Sequence, residues 1–337
     1  MDVQFSAEQR ALRDAAAKLA ADLAGRWHRG RGPADIDPPV PDEAAWNRIV
    51  DAGWLAMGLR EENGGAGATA LDLGIVAEQL GYHAVPAPVI GTVVAAAQLE
   101  AWGAPADLLE SVAAGTLRVA PALSPDLSSL AGAALAWDAA GASAALSPET
   151  GRLHALGEPV PFADVTRMVR PLGEARADAI PLDVPDGDTL ARLDALALSL
   201  LVADLLGTMS AALDAALAHA KVRRQFGAPI GSFQAVQQLL ADAHVLVESS
   251  RSAAYRASWA VSALPAGDAL RVARMAKAYA SRSAVTVCET AVQVFGGIGM
   301  TWESPAHVWL RRAHADRLVL GSDHHHQSVL ATQLGRV

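Results

Sequence analysis

The stretch Arg223-Arg224-Gln225-Phe226-Gly227-Ala228-Pro229-Ile230 lies between two long runs of periodic apolar residues. A second stretch, Gln293-Val294-Phe295-Gly296-Gly297-Ile298-Gly299-Met300, ends the next such run. Proline cannot continue a helix and glycine favours the turn that ends one, so each stretch predicts a helix boundary. The runs themselves predict long antiparallel helices of a bundle, at Leu190–Leu217, Phe233–Leu264, Leu270–Phe295 and after about Ser322.

The composition of the whole chain also favours helices. Apolar residues make up 52% of the sequence and aromatic residues only 5%, so alanine, leucine and valine must build most of the core. Alanine and leucine rank highest in helix propensity. The formal net charge of −9 argues against nucleic acid and anionic membranes as partners, because both require a basic surface.

Cysteine usage and the N-terminus indicate the compartment. Cys288 is the single cysteine, which excludes an intrachain disulfide and fits a reducing environment. It lies within a helical pattern, which predicts a small buried side chain. The first residues lack the basic and apolar regions of a secretory signal, and no uninterrupted apolar run reaches the roughly 20 residues of a spanning helix. We therefore expect a cytoplasmic protein with no membrane contact.

The pattern along the chain predicts three regions. Residues 1–115 are expected to form a helical domain, which starts with a capping box at Ser6 and Gln9. Residues 116–188 are rich in turn formers and predict a small β-domain. Residues 189–337 are expected to form the helical bundle.

Loops and strands are predicted within these regions by local turn signals. The expected strands are Ala142–Ser147, Arg152–Leu156 and Ala179–Val184. The expected loops and turns are Gly30–Pro41, Pro148–Gly151 and Pro265–Asp268, the last with Asp268 as a helix cap.

Together the two opening stretches closely resemble the flavin-binding signature of the acyl-CoA dehydrogenase family. The N-terminal region resembles the same family in order, through Phe5-Ser6-x-Glu8, Trp46…Ala52-Gly53-Trp54, Gly64-Gly65-x-Gly67 and Glu78-x-Leu80-Gly81. The resemblance implies a mainly α fold with a helical N-domain, a reduced β-domain and a C-terminal four-helix bundle. Either stretch alone also fits a charged helix end followed by a turn. A dinucleotide-binding fingerprint is excluded because the glycines follow a helix and not a strand.

The resemblance implies FAD as the cofactor and assigns residues to it. A guanidinium can form a forked pair of hydrogen bonds with a pyrophosphate, which is the role implied for Arg223. In the family these motifs hold an FAD whose flavin ring lies mainly on the neighbouring subunit, so the resemblance implies an oligomer with a shared site. The implied cofactor-binding residues are Arg223, Gln225, Phe226, Gly227, Gln293, Gly296, Gly297 and Ser322.

The base that the family uses is missing from its usual positions. Members of the family desaturate an acyl-CoA thioester, with a glutamate removing the alpha proton while the flavin takes a beta hydride. Leu320 stands where that glutamate is expected, directly before Gly321-Ser322. Ala197 and Leu198 stand at the alternative position on the first bundle helix. Asp194, one helical turn earlier, and Asp323 are the remaining candidates for a relocated base.

The β-domain also departs from the family pattern. Members that cradle the flavin ring carry Thr-Glu-Pro, then Gly-Ser-Asp, then a strand beginning with tryptophan. Here only Ser124-Pro125 is similar to the first of these, and Trp137 is a candidate for the last. The half that grips a neighbour's FAD is therefore expected to be kept, and the chain's own flavin cradle to be degenerate.

Three adjacent histidines open the predicted last helix, His324-His325-His326. Neighbouring residues on a helix point about 100° apart, so the three cannot converge on one metal ion. We expect no metal site here. A histidine near this place also occurs in flavin monooxygenases of the same fold.

Four functional hypotheses follow. The first is an acyl-CoA dehydrogenase subunit without the catalytic glutamate, which completes an FAD site with a glutamate-bearing partner and acts on a CoA thioester such as that of a steroid side chain. The second is a self-sufficient homo-oligomer with Asp194 or Asp323 as its base. The third is a flavin-dependent monooxygenase that uses His324 or a neighbour. The fourth is a catalytically inactive binding subunit.

Overall fold

The computed structural model describes residues 5–28, 42–131, 134–176 and 182–335. The predicted loop Gly30–Pro41 lies outside these residues. Within them the chain forms an N-terminal group of helices, a small barrel and a C-terminal bundle. This is the mainly α architecture with a small β-domain that the sequence predicts.

The N-terminal helices pack against the bundle through apolar faces. Ser6 and Gln9 form the predicted capping box, in which the Ser6 hydroxyl accepts from the Gln9 N–H and the Gln9 side chain accepts from the Ser6 N–H. The sequence did not predict the last two of these helices: the first of them is buried on nearly all sides, which hides its amphipathic period, and the second has only eight residues. The helices are α1 (Ala7–His28), α2 (Glu43–Asp51), α3 (Ala70–Tyr82), α4 (Val89–Ala101) and α5 (Ala106–Ala113).

Five strands close into a barrel in the order β1-β2-β5-β4-β3, with β1 and β3 parallel and the other pairs antiparallel. The predicted strand at Arg152–Leu156 and the turn before it are present. The expected strand Ala179–Val184 lies partly outside the described residues, and residues 182–184 are not in a strand. The strands are β1 (Val119–Leu123), β2 (Leu135–Ala136), β3 (Ala144–Ser147), β4 (Arg152–Leu156) and β5 (Arg170–Ala175).

Besides the four predicted helices, the bundle contains a 13-residue helix that begins directly after Glu303-Ser304-Pro305, where the sequence also predicts a helix to open. The expected cap at Asp268 is wrong. The third long helix already begins at Ala266, which places Asp268 in its first turn, where it pairs with Arg271. The bundle consists of α6 (Gly187–Val222), α7 (Gln234–Ala263), α8 (Ala266–Phe295), α9 (Ala306–Leu318) and α10 (Asp323–Gln333), with a short hairpin, β6 (Arg224–Gln225) and β7 (Ala228–Pro229), after α6.

α6 is the central helix of the molecule. By length and composition, it and the segment Ala266–Met300 could cross a membrane, although neither contains an uninterrupted apolar run of spanning length. In α6, 94% of the most apolar window is buried inside the fold, by α3, α7, α8 and α9. The buried, central position of α6 therefore explains its apolar character. Cys288 on α8 is fully buried, as predicted.

Candidate cofactor site

The first glycine-containing stretch forms a tight hairpin that projects from the end of α6. α6 ends at Val222, and β6 pairs with β7 so that Phe226 and Gly227 form a two-residue turn. Both turn residues have positive φ, of 51° and 81°, as such a turn requires. The Phe226 ring is 95% exposed and contacts only the edge of Phe233, with 6.2 Å between ring centroids. A large apolar ring held so far from its own core indicates contact with another molecule.

The second stretch lies beside the hairpin at the same end of the bundle. α8 ends at Phe295, and Gly296 follows with a φ of 65°. The rings of His219 on α6 and Phe295 on α8 lie 4.7 Å apart, which joins the two helix ends. The fold thus brings the two stretches to the same end of the bundle. Ser322, which the sequence assigned to the same ligand, lies elsewhere, at the start of α10 beside the turn that Lys277 binds.

Positive charge is concentrated at this end and is available for binding. Arg223 terminates α6 and its backbone pairs with Ile230, while its side chain is exposed. Arg224 is used within the hairpin, where its guanidinium donates to the Gly227 carbonyl at 2.9 Å. Burial, followed by the charge of Arg223, lowers the pKa of His219, so that histidine adds little charge at neutral pH. Among the described residues, no carboxylate pairs with Arg223.

The space around Gly297 shows whether this end of the bundle can accept a bulky ligand. A Cβ on Gly297 would meet nothing within 4 Å, and its φ does not require glycine, so the chain's own fold does not demand this residue. Gly299 is different, because a Cβ there would lie 2.9 Å from the Cβ of Phe295. A glycine without an internal reason, exposed at the same end of the bundle as Arg223, fits a site where a cofactor approaches the backbone. The arrangement fits the adenine-pyrophosphate half of FAD.

The two positions at which the sequence predicts that the base is missing lie in one apolar cluster. Leu320, Ala197 and Leu198 are all buried and belong to the same hydrophobic core. The Leu320 N–H donates to the Leu127 carbonyl at 2.7 Å, which seals the turn after α9 against the β-domain. Leu320 also has a φ of 57°, so its backbone is held in a strained conformation by its surroundings.

This turn is fixed by two buried basic side chains. Lys277 on α8 donates to the carbonyls of Gly321 and Arg317, at 2.9 and 3.1 Å. The His326 ring bonds the Leu320 carbonyl at 2.8 Å, and burial lowers the pKa of this histidine to about 3. The sequence had singled out His326 only as one of three adjacent histidines, and it missed Lys277, although a lysine within an apolar helical run is a visible signal.

The remaining acid candidates differ in their surroundings. Asp323 forms a two-point ion pair with Arg317, and although burial opposes ionisation, that pairing lowers its pKa. Asp194 has no such partner, and burial raises its pKa to about 6 against the opposing charge of Arg274. The Ser322 hydroxyl caps α10 by accepting from the His325 N–H. His324 and His325 are exposed while His326 is buried, so the three diverge as predicted.

The sequence matches known proteins over most of its length. The family described as "Acyl-CoA dehydrogenase, N-terminal domain" matches residues 6–110, and "Acyl-CoA dehydrogenase, C-terminal domain" matches residues 197–335. Acyl-CoA dehydrogenase IpdE2 of Mycobacterium tuberculosis is 31% identical over 322 residues, which cover 94% of this chain and 93% of that protein. The chain belongs to the acyl-CoA dehydrogenase family. It is accordingly an oxidoreductase by family.

Solved acyl-CoA dehydrogenases share the whole fold. A variant of the Tcur3481-Tcur3483 steroid ACAD superposes with a TM-score of 0.83 at 27% identity, covering 97% of this chain and 98% of that one. The ChsE4-ChsE5 complex from Mycobacterium tuberculosis gives a TM-score of 0.83 over both full chains; at 23% identity this likeness concerns the fold alone.

A buried group of charges, which we call the aspartate–arginine cluster, joins the β-domain of this acyl-CoA dehydrogenase to its bundle. Arg312 forks onto Asp204 at 2.6 and 2.9 Å and also donates to Thr166 at 2.6 Å. The guanidinium of Arg167 covers the face of Trp137, 4.6 Å from the ring centroid. The cluster was missed, although Asp204 within the apolar α6 run was a visible signal. Its members are Asp138, Asp164, Arg167, Asp204, Arg312 and Asp316.

The cavities described next lie away from the aspartate–arginine cluster. One cavity of about 670 Å³ lies between α1, α3, α6 and the start of α9, at the opposite end of α9 from Leu320. Another of about 450 Å³ is lined by Leu193 and Leu196, next to Asp194 and Ala197 in the sequence. The apolar cavity between α3, α4 and α6, lined by Leu200 one turn after Ala197, measures only about 10 Å³. That volume holds at most one water molecule.

Proposed function

We propose that this chain is the completing subunit of a heteromeric, FAD-dependent acyl-CoA dehydrogenase. In this assembly a partner subunit of the same family supplies the catalytic glutamate and the cradle for the flavin ring. This chain supplies Arg223, the Phe226–Gly227 turn and the Gln293–Gly297 surface, which hold the adenine-pyrophosphate half of the partner's FAD. FAD, when bound, supplies the acceptor for the beta hydride.

The observation that carries the proposal is the sealed turn at Leu320. An aliphatic side chain cannot accept the alpha proton, and the hydrogen bond from Leu320 to Leu127 of the β-domain holds this residue within the apolar core. Two further features support it: Ala197 is also aliphatic, and Arg167 covers Trp137. At both positions where the resemblance predicts a base, this chain therefore carries side chains that cannot remove a proton.

The proposed cofactor-binding surface at the ends of α6 and α8 is exposed, in contrast to the buried residues around Leu320. Its arginine is exposed, its hairpin projects, and its glycine lacks an internal packing reason. A planar guanidinium binds a pyrophosphate through two charge-assisted hydrogen bonds. Phe226 would cover an apolar part of the cofactor or the partner and exclude water from those bonds. A chain that keeps only this surface completes another subunit's site.

The proposed substrate is a CoA thioester with a bulky acyl group, such as a steroid side chain. This rests on the relatives, since one solved neighbour is named as a steroid ACAD and another is a complex of two different chains. The cytoplasm, where such a substrate is made from CoA, is the proposed compartment.

The test is the flavin content of the chain purified alone and after co-expression with a glutamate-bearing homologue. We expect little or no flavin absorbance alone, and about one FAD per shared site in the co-purified complex. One FAD per chain in the isolated protein would contradict the partner-subunit proposal.

Asp194 supports one alternative function. Burial raises the pKa of its carboxyl to about 6, which suits a general base near neutral pH, and it lies one helical turn from Ala197. A self-sufficient homo-oligomer using Asp194 would bind FAD alone and would lose its desaturase activity in Asp194→Asn. The ion pair of Asp323 with Arg317 makes Asp323 the weaker candidate.

A further inference from the structure

The aspartate–arginine cluster contains more negative than positive groups. Asp138, Asp164, Asp204 and Asp316 are all at most 3% exposed in their side chains, and so are the two guanidiniums that face them. Burying uncompensated charge is very unfavourable, and a buried carboxyl without a partner is expected to take up a proton instead.

The positive groups around the cluster do not restore neutrality. Asp316, on α9, faces Arg167 from the β-domain, Asp204 from α6, Lys277 from α8 and Arg312 from its own helix. Asp323 on α10 also faces Lys277, but it is paired with Arg317. Even with Lys277 charged, the four carboxylates outnumber the three cations. At least one carboxyl must therefore be neutral.

Hydrogen bonding distinguishes three of the four carboxyls from the fourth. Asp204 accepts both arms of the Arg312 fork. Asp164 accepts from the N–H and hydroxyl of Thr166, at 2.8 and 2.6 Å. Asp138 accepts from the Gly91 N–H at 2.9 Å. Each of these bonds stabilises the ionised form.

Asp316 has no comparable bond. Its side chain is fully buried, neither of its oxygens accepts a hydrogen bond from the described residues, and its ion-pair contact, with Arg167 Nε, is 3.6 Å long. It adjoins the carboxylate of Asp204, with which only a protonated carboxyl can form a hydrogen bond.

We propose that Asp316 carries a proton at neutral pH, which it donates to Asp204. The proton makes Asp316 an uncharged donor in a cluster that connects the β-domain, α6 and α9. Through α9 it also supports the turn at Leu320, which follows that helix. Burial first, and then the neighbouring carboxylate of Asp204, raise the pKa of Asp316 well above its usual value.

The raised pKa of Asp316 determines how the free energy of unfolding depends on pH. A carboxyl with a raised pKa in the folded state binds its proton more tightly there than in the unfolded chain. The free energy of unfolding therefore falls as pH rises from the ordinary pKa of an aspartate to the raised one. A variant with Asn at this position lacks that decline.

The experiment is infrared spectroscopy of the full chain at about pH 8, where exposed carboxyls are ionised. We expect a protonated carboxyl band in the wild type that disappears in Asp316→Asn and persists in the matched variant Asp164→Asn. Absence of the band in the wild type, or its persistence in Asp316→Asn, would overturn the proposal.

Thermal unfolding gives a second, independent measurement. Asp316→Asn replaces a neutral carboxyl with a neutral amide and is expected to fold with an unchanged or higher midpoint at pH 7. Asp204→Asn removes the ionised partner of two arginines and is expected to lower the midpoint by several degrees. If Asp316→Asn failed to fold or lost as much stability as Asp204→Asn, the carboxyl would have to be ionised and the assignment would be wrong.

Discussion

Among single residues, Arg223 is exposed and available to bind a ligand, whereas Leu320 is buried and apolar. Arg223 keeps the residue type that binds a pyrophosphate and remains exposed without a carboxylate partner among the described residues. Leu320 has an apolar side chain where the resemblance predicts the family's base, and it is buried in the core. Under the proposed function this chain therefore binds the cofactor, and another subunit removes the proton.

Replacing Arg223 tests the binding role. Charge-assisted hydrogen bonds contribute roughly 1.5–3 kcal/mol, so Arg223→Ala is expected to weaken FAD retention in the co-expressed complex by about 10- to 100-fold. Arg223→Lys keeps the charge but loses the fork and should retain an intermediate affinity. Fluorescence of released flavin measures the effect. The control is Arg152→Ala on an exposed strand, and an equal loss in that variant would contradict a specific role.

Replacing Asp194 gives a pH-dependent change in stability. Because burial raises its pKa to about 6, the wild type loses stability as pH rises from about 4 through 6, and Asp194→Asn does not. We expect the variant to be more stable than the wild type by about 1–2 kcal/mol at about pH 8, after discounting for partial exposure. Denaturant unfolding of the variant and the wild type at about pH 4 and about pH 8 measures this difference in stability. Glu149→Gln, in an exposed turn, should show no such difference, and a constant offset for Asp194→Asn would contradict the raised pKa.

At the scale of elements, the ends of α6 and α8 form the proposed ligand surface because the two helices run side by side in the same direction. The ring contact between His219 and Phe295 fixes this relation. The hairpin after α6 and the glycine turn after α8 then face the same solvent region. Each element ends where its sequence requires a turn, so the site is a product of helix termination.

Two glycines of the second turn are expected to respond differently to alanine. Gly297→Ala has open space and should change the stability of the isolated chain by no more than about 0.5 kcal/mol, while reducing flavin retention in the complex. Gly299→Ala forces a Cβ against Phe295 and should cost about 1–3 kcal/mol in stability. Thermal unfolding and flavin content measured on the same preparations separate the two. Normal flavin retention by Gly297→Ala would remove the ligand explanation for this glycine.

The sequence predicted elements where local signals were strong. The long helices, the Arg152–Leu156 strand and the Ser6 capping box depend on periodicity, turn residues and a local side-chain bond. It did not predict α4, which is apolar on nearly every side, or β2, which has only two residues. Elements of that kind are defined by what packs on them, and a single sequence does not encode that in its period.

The residues of the candidate site also divide into those with a local sequence signal and those that only folding brings together. Motif residues at the ends of α6 and α8 were identified because the chemistry of the ligand fixes their types. The aspartate–arginine cluster was not, because its members come from separate regions of the sequence, as far apart as Asp138 and Asp316. Only folding brings such charges together. The buried Lys277 belongs to the same class.

At the scale of the whole molecule, buried polar contacts connect regions that apolar packing alone would align less specifically. One joins the β-domain to the bundle through Arg167 and Asp204, at 2.9 Å. Another joins α3 to α7, where Glu78 accepts from Arg251 at 2.7 Å and from the Tyr255 hydroxyl at 3.1 Å. These contacts hold the three regions in a fixed relation behind the exposed ligand surface.

Removing Arg251 tests the second connection. Burial raises the pKa of Glu78 against the opposing charge of Arg251, so Arg251→Met leaves a buried carboxyl that is poorly compensated. We expect a loss of about 1–3 kcal/mol in the free energy of unfolding at neutral pH. In the double variant Arg251→Met with Glu78→Gln, part of that loss should be recovered. Denaturant unfolding of the four proteins measures the coupling, and strictly additive losses would show that the pair does not interact.

The burial of α6 has a consequence during synthesis. α6 leaves the ribosome before α7 and α8, the two helices of 30 residues each that later cover much of it. At roughly 5–20 residues per second, their translation takes several seconds. For that time a helix apolar enough to enter a lipid bilayer is only partly covered, by the earlier N-terminal helices. The nascent chain is therefore a substrate for chaperones that shield apolar segments, and slow translation of α7 would lower its yield more than slow translation of α2.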